Sequence, residues 1–183
     1  RSAVDDDGSY ERIYPAGDLA THVVGYVSQQ YGTSGIEASY NETLKGQESF
    51  ASWTDVLNDM AGVGTAGNDV TLTINSKIQQ AAQDALAGNK GAAMVMDPKT
   101  GAILALASAP TYDAADFEQV IAQANSDTSD TSLINRATGT LYAPGSTFKR
   151  VTLATAIEDD VASESTTFSS PGTITIGNAS VSN

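Results

Sequence analysis

Between Asn68 and Ala109 the apolar positions fall into three rhythms. Val70, Leu72 and Ile74 alternate with Thr71 and Thr73, the period of a half-buried strand, which predicts a strand at about 70–74. In the following SKIQQAAQDALAG, Ile78, Ala81, Ala82, Ala85 and Leu86 share one helical face, Ser76 is placed to cap and Gly88 to terminate, so a helix is predicted here. Then AAMVM and AILALASA flank Asp97-Pro98-Lys99-Thr100-Gly101. Apolar runs on either side of such a turn predict a hairpin with Gly101 free to take positive φ.

Outside this stretch the pattern is looser. Residues 1–68 are rich in Gly, Tyr, Ser and Asn, and their short apolar patches at 19–24 and 56–60 are split by turn residues, which predicts an irregular first segment. A second helix is expected at about 114–124, before the polar loop NSDTSDTS at 125–132. Val151, Leu153, Ala154, Ala156 and Ile157 predict a third helix that runs from Ser146 to the acidic cluster at 158–160. After Ser163, FSSPGTITIGNASVSN is strand and turn material.

Composition narrows the classes. With 40% hydrophobic residues the 183-residue chain can bury a core, and its length admits one domain or two compact pieces. Its net charge of −13, from 22 acids against 9 bases, speaks against nucleic acid as a partner, since phosphate binding gathers Lys and Arg on one face. The acids are scattered, as on a solvated surface. The absence of cysteine excludes disulfides, thiolate zinc sites and a cysteine nucleophile, and is compatible with export. No apolar run approaches the ~20 residues that span a bilayer, and RSAVDDDGSYER lacks the apolar stretch of a signal peptide. The protein is therefore expected to be soluble or to carry an anchor outside this sequence.

Candidate chemistry centres on YAPGSTFKR at 142–150. On a helix, residues three apart share a face with Cβ atoms about 5–6 Å apart, so the Lys149 amine can reach the Ser146 hydroxyl. A serine needs a base to become a nucleophile, and a lysine whose pKa burial has lowered can be that base. Pro144-Gly145 sharpens the turn and leaves Ser146 in the first helical turn, where free N–H groups can stabilise an oxyanion. Alone, Ser-x-x-Lys reads as a helix-capping serine beside a solvated lysine. Context lifts it, because the chain's one histidine, His22, has no neighbouring metal ligands and would have to carry any Ser-His-acid arrangement by itself.

Several stretches then carry a resemblance. RIYPAGDLATHVVGY (12–26), GIEASYNETLKG (35–46), NDVTLTINSKIQQAAQDAL (68–86), GAAMVMDPKTGAILALASAPTYD (91–113) and INRATGTLYAPGSTFK (134–149) resemble, in order, the class B penicillin-binding proteins, peptidoglycan D,D-transpeptidases, and most of all their actinobacterial type. The resemblance implies an α+β fold. An irregular N-terminal pedestal segment, 1–68, precedes the first part of a serine β-lactamase-like transpeptidase domain, 69–183.

The same resemblance implies that Ser146 is the nucleophile acylated by a D-Ala-D-Ala stem peptide or a β-lactam, that its N–H forms half of the oxyanion hole, and that Lys149 is the general base. It implies no metal or organic cofactor. A glycosyltransferase or division or elongation proteins are the expected partners, at the outer face of the cell membrane. A β-lactam sensor or serine β-lactamase, and a non-catalytic scaffold of the cell-wall machinery, are the rival functions.

In the family, Ser-x-Asn and Lys-Thr-Gly follow the nucleophile. Here Ser39-Tyr40-Asn41 and Lys99-Thr100-Gly101 precede it, so both are expected to be structural, and the true partners to lie beyond Asn183. Ala143 replaces a frequent second proline. His22, Trp53 and the tyrosines are expected to pack, and Arg136 to order the loop before Ser146.

Overall fold

The computed structural model describes residues 2–4, 10–46, 57 and 67–182, which form two compact units, Arg1–Thr140 and Leu141–Asn183. Trp53 and the patch at 56–60, Leu57 excepted, lie outside the described residues.

In the first unit, the turn-rich beginning folds into short pieces. β1 (Ser2–Val4) pairs antiparallel with β2 (Tyr10–Arg12), and β3 (Val27–Ser28) with β4 (Gly32–Thr33). The short helices α1 (Thr21–Val24), α2 (Gly35–Ser39) and α3 (Asn41–Leu44) lie among them. Two glycines make this crossing of the chain possible. Gly25 has φ +85° and a Cβ there would stand 2.0 Å from the Ser34 carbonyl oxygen, while one on Gly35, φ +57°, would stand 2.6 Å from that of Val23. Arg12 pairs with Glu37 at 2.6 Å, and Glu37 is buried.

The predicted helix forms as α4 (Ser76–Leu86). Its cap is Asn75, whose side chain accepts from the N–H groups of Lys77 and Ile78, one residue earlier than the expected Ser76. β5 (Gly91–Met96) and β6 (Ile103–Ala109) make the predicted antiparallel hairpin, and Gly101 takes φ +74°. Ala82, Ala105 and Ala107 form the core between helix and hairpin, flanked by Ile78, Leu86 and Ala93. Small residues at these positions let α4 lie close against the sheet.

The expected inward face of α4 is corrected in detail. Ala81 and Ala85 are exposed, and Gln79 is buried in their stead at 1% exposure. Its carboxamide oxygen accepts from Leu106 N (2.8 Å), and Nε2 donates to Leu106 O (3.1 Å) and Gln83 Oε1 (3.1 Å). One side chain thereby satisfies both backbone groups of a strand residue, as a neighbouring strand would.

The strand expected at 70–74 does not form. Burial alternates there as expected, with Val70, Leu72 and Ile74 half-buried between exposed neighbours, yet no ladder links the segment to the sheet. The Thr73 hydroxyl takes the Ile103 carbonyl at 2.7 Å and Asn75 N–H that of Leu104 at 2.8 Å. A side-chain bond and the helix-capping residue use the acceptors that a strand would have used.

A second core gathers Tyr112, Ala114 and Phe117 with Tyr14, Tyr26, Val120, Ile121 and Leu133. Tyr26 stacks on Phe117 with centroids 3.5 Å apart, so these tyrosines pack as expected. Phe117 opens α5 (Phe117–Ser126), which begins three residues later than expected because Asp113 first forms a turn, its carboxylate accepting from Ala115 N–H. α6 (Arg136–Gly139) ends the unit, capped by Asn135.

The second unit consists of a 3₁₀ turn (Gly145–Phe148), α7 (Lys149–Glu158) and the antiparallel pair β7 (Thr173–Ile176) and β8 (Ala179–Ser182). The helix and the terminal strand and turn material match the pattern reading.

Candidate active site

Pro144 already has helical angles (φ −68°, ψ −22°), as a fixed proline φ favours at a helix start. Gly145 next to it takes φ +53°, a conformation that costs a residue with a side chain dearly. Thr147 N–H then donates to Pro144 O at 3.2 Å. Ser146 stands inside the resulting 3₁₀ turn, and its carbonyl accepts from Lys149 N–H. With three residues per turn, the side chains of residues i and i+3 eclipse. The turn thus sets Ser146 and Lys149 on one side of the backbone.

The expected burial is not met. Gly145, Ser146 and Lys149 are all exposed, as is every residue of 138–182 except the half-buried Ala156 and Ala162. Neither the hydroxyl nor the amine makes a hydrogen bond among the described residues. The reason is visible in α7. Its apolar residues do not gather on one side, and Val151, Leu153 and Ile157 are roughly half exposed, so the helix buries no face. Lys149 instead lines an open groove of about 300 Å³ with Pro171, Gly172, Ile174 and Val181. Ile174 and Val181 are directly paired across β7 and β8. Sequence reading did not find this groove; the Pro171-Gly172 turn signal marks the hairpin but not its proximity to Lys149.

The apparent companions of the motif serve the backbone. The Asp97 carboxylate accepts from Lys99 N–H (2.9 Å) and the Thr100 hydroxyl (2.8 Å), while Gly101 N–H donates to Asp97 O. These bonds hold the Asp97 carboxyl below its usual range, and Lys99 is exposed. Ser39 donates to the Gly35 carbonyl at the end of α2, and Asn41 begins α3.

The segment before Ser146 is held firmly within the first unit. Arg136 is buried, and its guanidinium donates to Thr131 O (3.0 Å) and the Thr131 hydroxyl (2.7 Å). Its N–H donates to Ser108 Oγ, which donates in turn to Ile134 O. Arg136 therefore orders the loop, as expected. His22 packs against Tyr112, with ring centroids 5.2 Å apart, and its Nε2 lies 3.3 Å from Ile134 O. Burial pushes the Tyr112 hydroxyl up to about 12 and the His22 imidazole down, the latter helped by the Arg136 charge. Among the described residues no cluster of three metal-ligating side chains occurs, and no helix is long and apolar enough to cross a membrane.

Comparison with known proteins adds two family matches. Residues 1–70 match the penicillin binding protein A dimerisation domain, and residues 91–183 the penicillin binding protein transpeptidase domain. A solved D,D-transpeptidase domain of a peptidoglycan glycosyltransferase from Eggerthella lenta is 67% identical, with a TM-score of 0.83 over 100% of this chain and 40% of that one. Penicillin-binding protein A of M. tuberculosis, solved as an imipenem acyl-enzyme complex, is 30% identical with a TM-score of 0.82 over 100% of this chain and 45% of that one. Peptidoglycan D,D-transpeptidase MrdA of Escherichia coli K12 is 33% identical over 92% of this chain and 32% of its own length. The chain thus spans between about a third and somewhat under half of these relatives. Both the N-terminal segment and the segment that carries Ser-x-x-Lys find their matches in one family: the chain belongs to the class B penicillin-binding proteins.

Proposed function

We propose that this chain is the N-terminal part of a peptidoglycan D,D-transpeptidase in which Ser146 is the acylated nucleophile and Lys149 the general base. The observation that carries the reading is the 3₁₀ turn after Pro144-Gly145, which sets Lys149 one turn beyond Ser146 at the start of a ten-residue helix. Ser146 Oγ attacks the carbonyl carbon of the penultimate D-alanine of a stem peptide while its proton passes to Lys149 Nζ. The carbonyl oxygen becomes an oxyanion beside the Ser146 N–H, one of the groups that a helix start leaves without an intrahelical partner. Collapse breaks the C–N bond, and the terminal D-alanine leaves with the proton from Lys149. An amine of a neighbouring stem then attacks the ester, giving its proton to Lys149, and the serine is released with its hydroxyl restored. A β-lactam follows the first half of this course and stays bound as the acyl-enzyme.

Residues 1–68 act in this reading as the pedestal and 69–183 as the beginning of the transpeptidase domain. The reading needs a Ser-x-Asn and a Lys-Thr-Gly as further site motifs, neither of which follows Lys149 in these 183 residues. It also places the enzyme at the outer face of the cell membrane, with glycosyltransferase, division or elongation proteins as partners.

Labelled penicillin tests this with the full-length protein. The expected product is one stable adduct on the peptide that contains Ser146, lost in S146A. Rapid release of hydrolysed drug would favour a β-lactamase, and absence of any adduct would favour a scaffold.

A further inference from the structure

Gln79 and Gln83 stand four residues apart on α4, so their side chains share one face of the helix. This helix lies between the two family matches, residues 1–70 and 91–183, and belongs to neither. Toward the second match, Gln79 takes Leu106 of β6 by both its N–H and its carbonyl. Toward the first, Gln83 does the same to the turn that opens α1. Its Oε1 accepts from Ala20 N–H at 2.9 Å, and its Nε2 donates to Asp18 O at 3.3 Å. Gln79 Nε2 donates to Gln83 Oε1 at 3.1 Å and joins the two grips.

A carboxamide carries two N–H donors and an oxygen with two lone pairs. Gln79 uses both donors, on Leu106 O and Gln83 Oε1, and Gln83 Oε1 fills both lone pairs, from Ala20 and Gln79. Turning either carboxamide over would set donor against donor, so each glutamine fixes the orientation of the other. The turn held at one end is strained. Buried Ala20 has φ +58° and ψ +23°, the left-handed region that a residue with a Cβ enters only at a cost. Its carbonyl accepts from Val23 and Val24 N–H, so its conformation sets the start of α1. One other bond from the segment after β6 reaches this turn, from the Thr111 hydroxyl to Asp18 O at 3.3 Å.

We propose that Gln79 and Gln83 form a clasp between the two family-matched segments: they hold the strained turn at 18–20 and the edge of β6 in one hydrogen-bonded unit, so that loosening one end loosens the other. The physical ground is that bonds in a closed polar network orient and polarise one another, so the network is worth more than its separate pairs. The clasp does not depend on the role of Ser146.

Ala20 N–H and Leu106 N–H each donate to a glutamine oxygen, which makes them reporters at the two ends. The test is hydrogen–deuterium exchange of the full-length protein, resolved to single amides by mass spectrometry with fragmentation. In Q83L, exchange at Ala20 should rise about tenfold, and exchange at Leu106 about threefold or more although every bond to Leu106 itself is kept. Q79L should raise exchange at Ala20 by a similar threefold although Gln83 stays. The amides of Ala105 and Ala107 beside Leu106 should keep wild-type exchange in Q83L, which separates loss of the clasp from general loosening. Q83A, which adds no bulk, should reproduce the Q83L pattern, and T111V should leave Leu106 unchanged. The fall in urea midpoint of Q79L/Q83L should be clearly smaller than the sum of the two single falls. Wild-type exchange at Leu106 in Q83L and Q83A, or a rise shared equally by Ala105 and Ala107, overturns the clasp. So do additive midpoints, and a T111V protein that raises Leu106 exchange as Q83L does.

Discussion

Replacing Gln79 by leucine tests whether one side chain does the work of a strand at the outer edge of β6. The residue is 1% exposed, and its carboxamide satisfies both Leu106 N and Leu106 O. Leucine fills nearly the same volume, so no large cavity confuses the result. Two part-buried backbone groups lose their partners at about 1–3 kcal/mol each, roughly 4 kcal/mol together. The apolar gain of burying leucine returns about 1.5 kcal/mol, which leaves a net loss of about 2.5 kcal/mol. With a urea dependence of about 2 kcal/mol/M, the unfolding midpoint should fall by about 1 M. Q79E adds a sign. Its carboxylate can accept from Leu106 N but repels Leu106 O, whereas the protonated acid can donate to it. That variant should be less stable than wild type at pH 7 and recover toward pH 4, where its raised folded-state pKa lets the acid form fill the site. A Q79L midpoint within about 0.3 M of wild type would show that Leu106 finds water or another partner, and the strand-substitute argument would fail.

Other expectations follow from the site and its supports. S146A should abolish penicillin acylation, and K149A should slow it by about 100-fold or more, within the range assigned to a positioned base. K99A should leave both acylation and the unfolding midpoint unchanged, since the amine is exposed and the turn is made by Asp97, Thr100 and Gly101. G25A should prevent the first segment from folding, detected as lost protection from proteolysis over 12–46, because its Cβ would overlap the Ser34 carbonyl at 2.0 Å. E37Q removes the charge from the acceptor of a part-buried ion pair, and should cost about 2 kcal/mol of unfolding free energy in urea titrations.

The fold was legible where one neighbour decides the outcome. The hairpin at 91–109 and the helix at 76–86 follow from alternation, helical period and the Gly101 turn, and each packs mainly on the other through Ala82, Ala105 and Ala107. The sequence misled where side chains took over backbone roles. Nothing in the alternation of 70–74 announces that the Thr73 hydroxyl would claim the Ile103 carbonyl, and a glutamine within an alanine-rich helix reads as its polar side until the strand edge it serves is known. The Gly25–Gly35 crossing was equally hidden, since two glycines ten residues apart show nothing of the 2.0 Å approach that demands them.

The candidate site divides along the same line. The placement of Ser146 and Lys149 on one turn is local: a proline, a positive-φ glycine and a three-residue turn produce it, and of these the sequence shows the Pro144-Gly145 turn and the three-residue spacing, while a helix from Ser146 was expected where the 3₁₀ turn stands. Activation is not local. A lysine becomes a base at neutral pH when water is taken from its ammonium, and that depends on what packs over the turn, which for this exposed segment is not written in residues 142–150. K149R separates the two contributions. It keeps the charge, the helix start and the contact with the groove beside Ile174 and Val181, but a guanidinium cannot give up a proton at any working pH. If Lys149 only organises the turn or attracts an anionic substrate, K149R should acylate at close to the wild-type rate. If it is the base, K149R should be as slow as K149A across the whole pH range, and equal rates for K149R and wild type would refute the assignment.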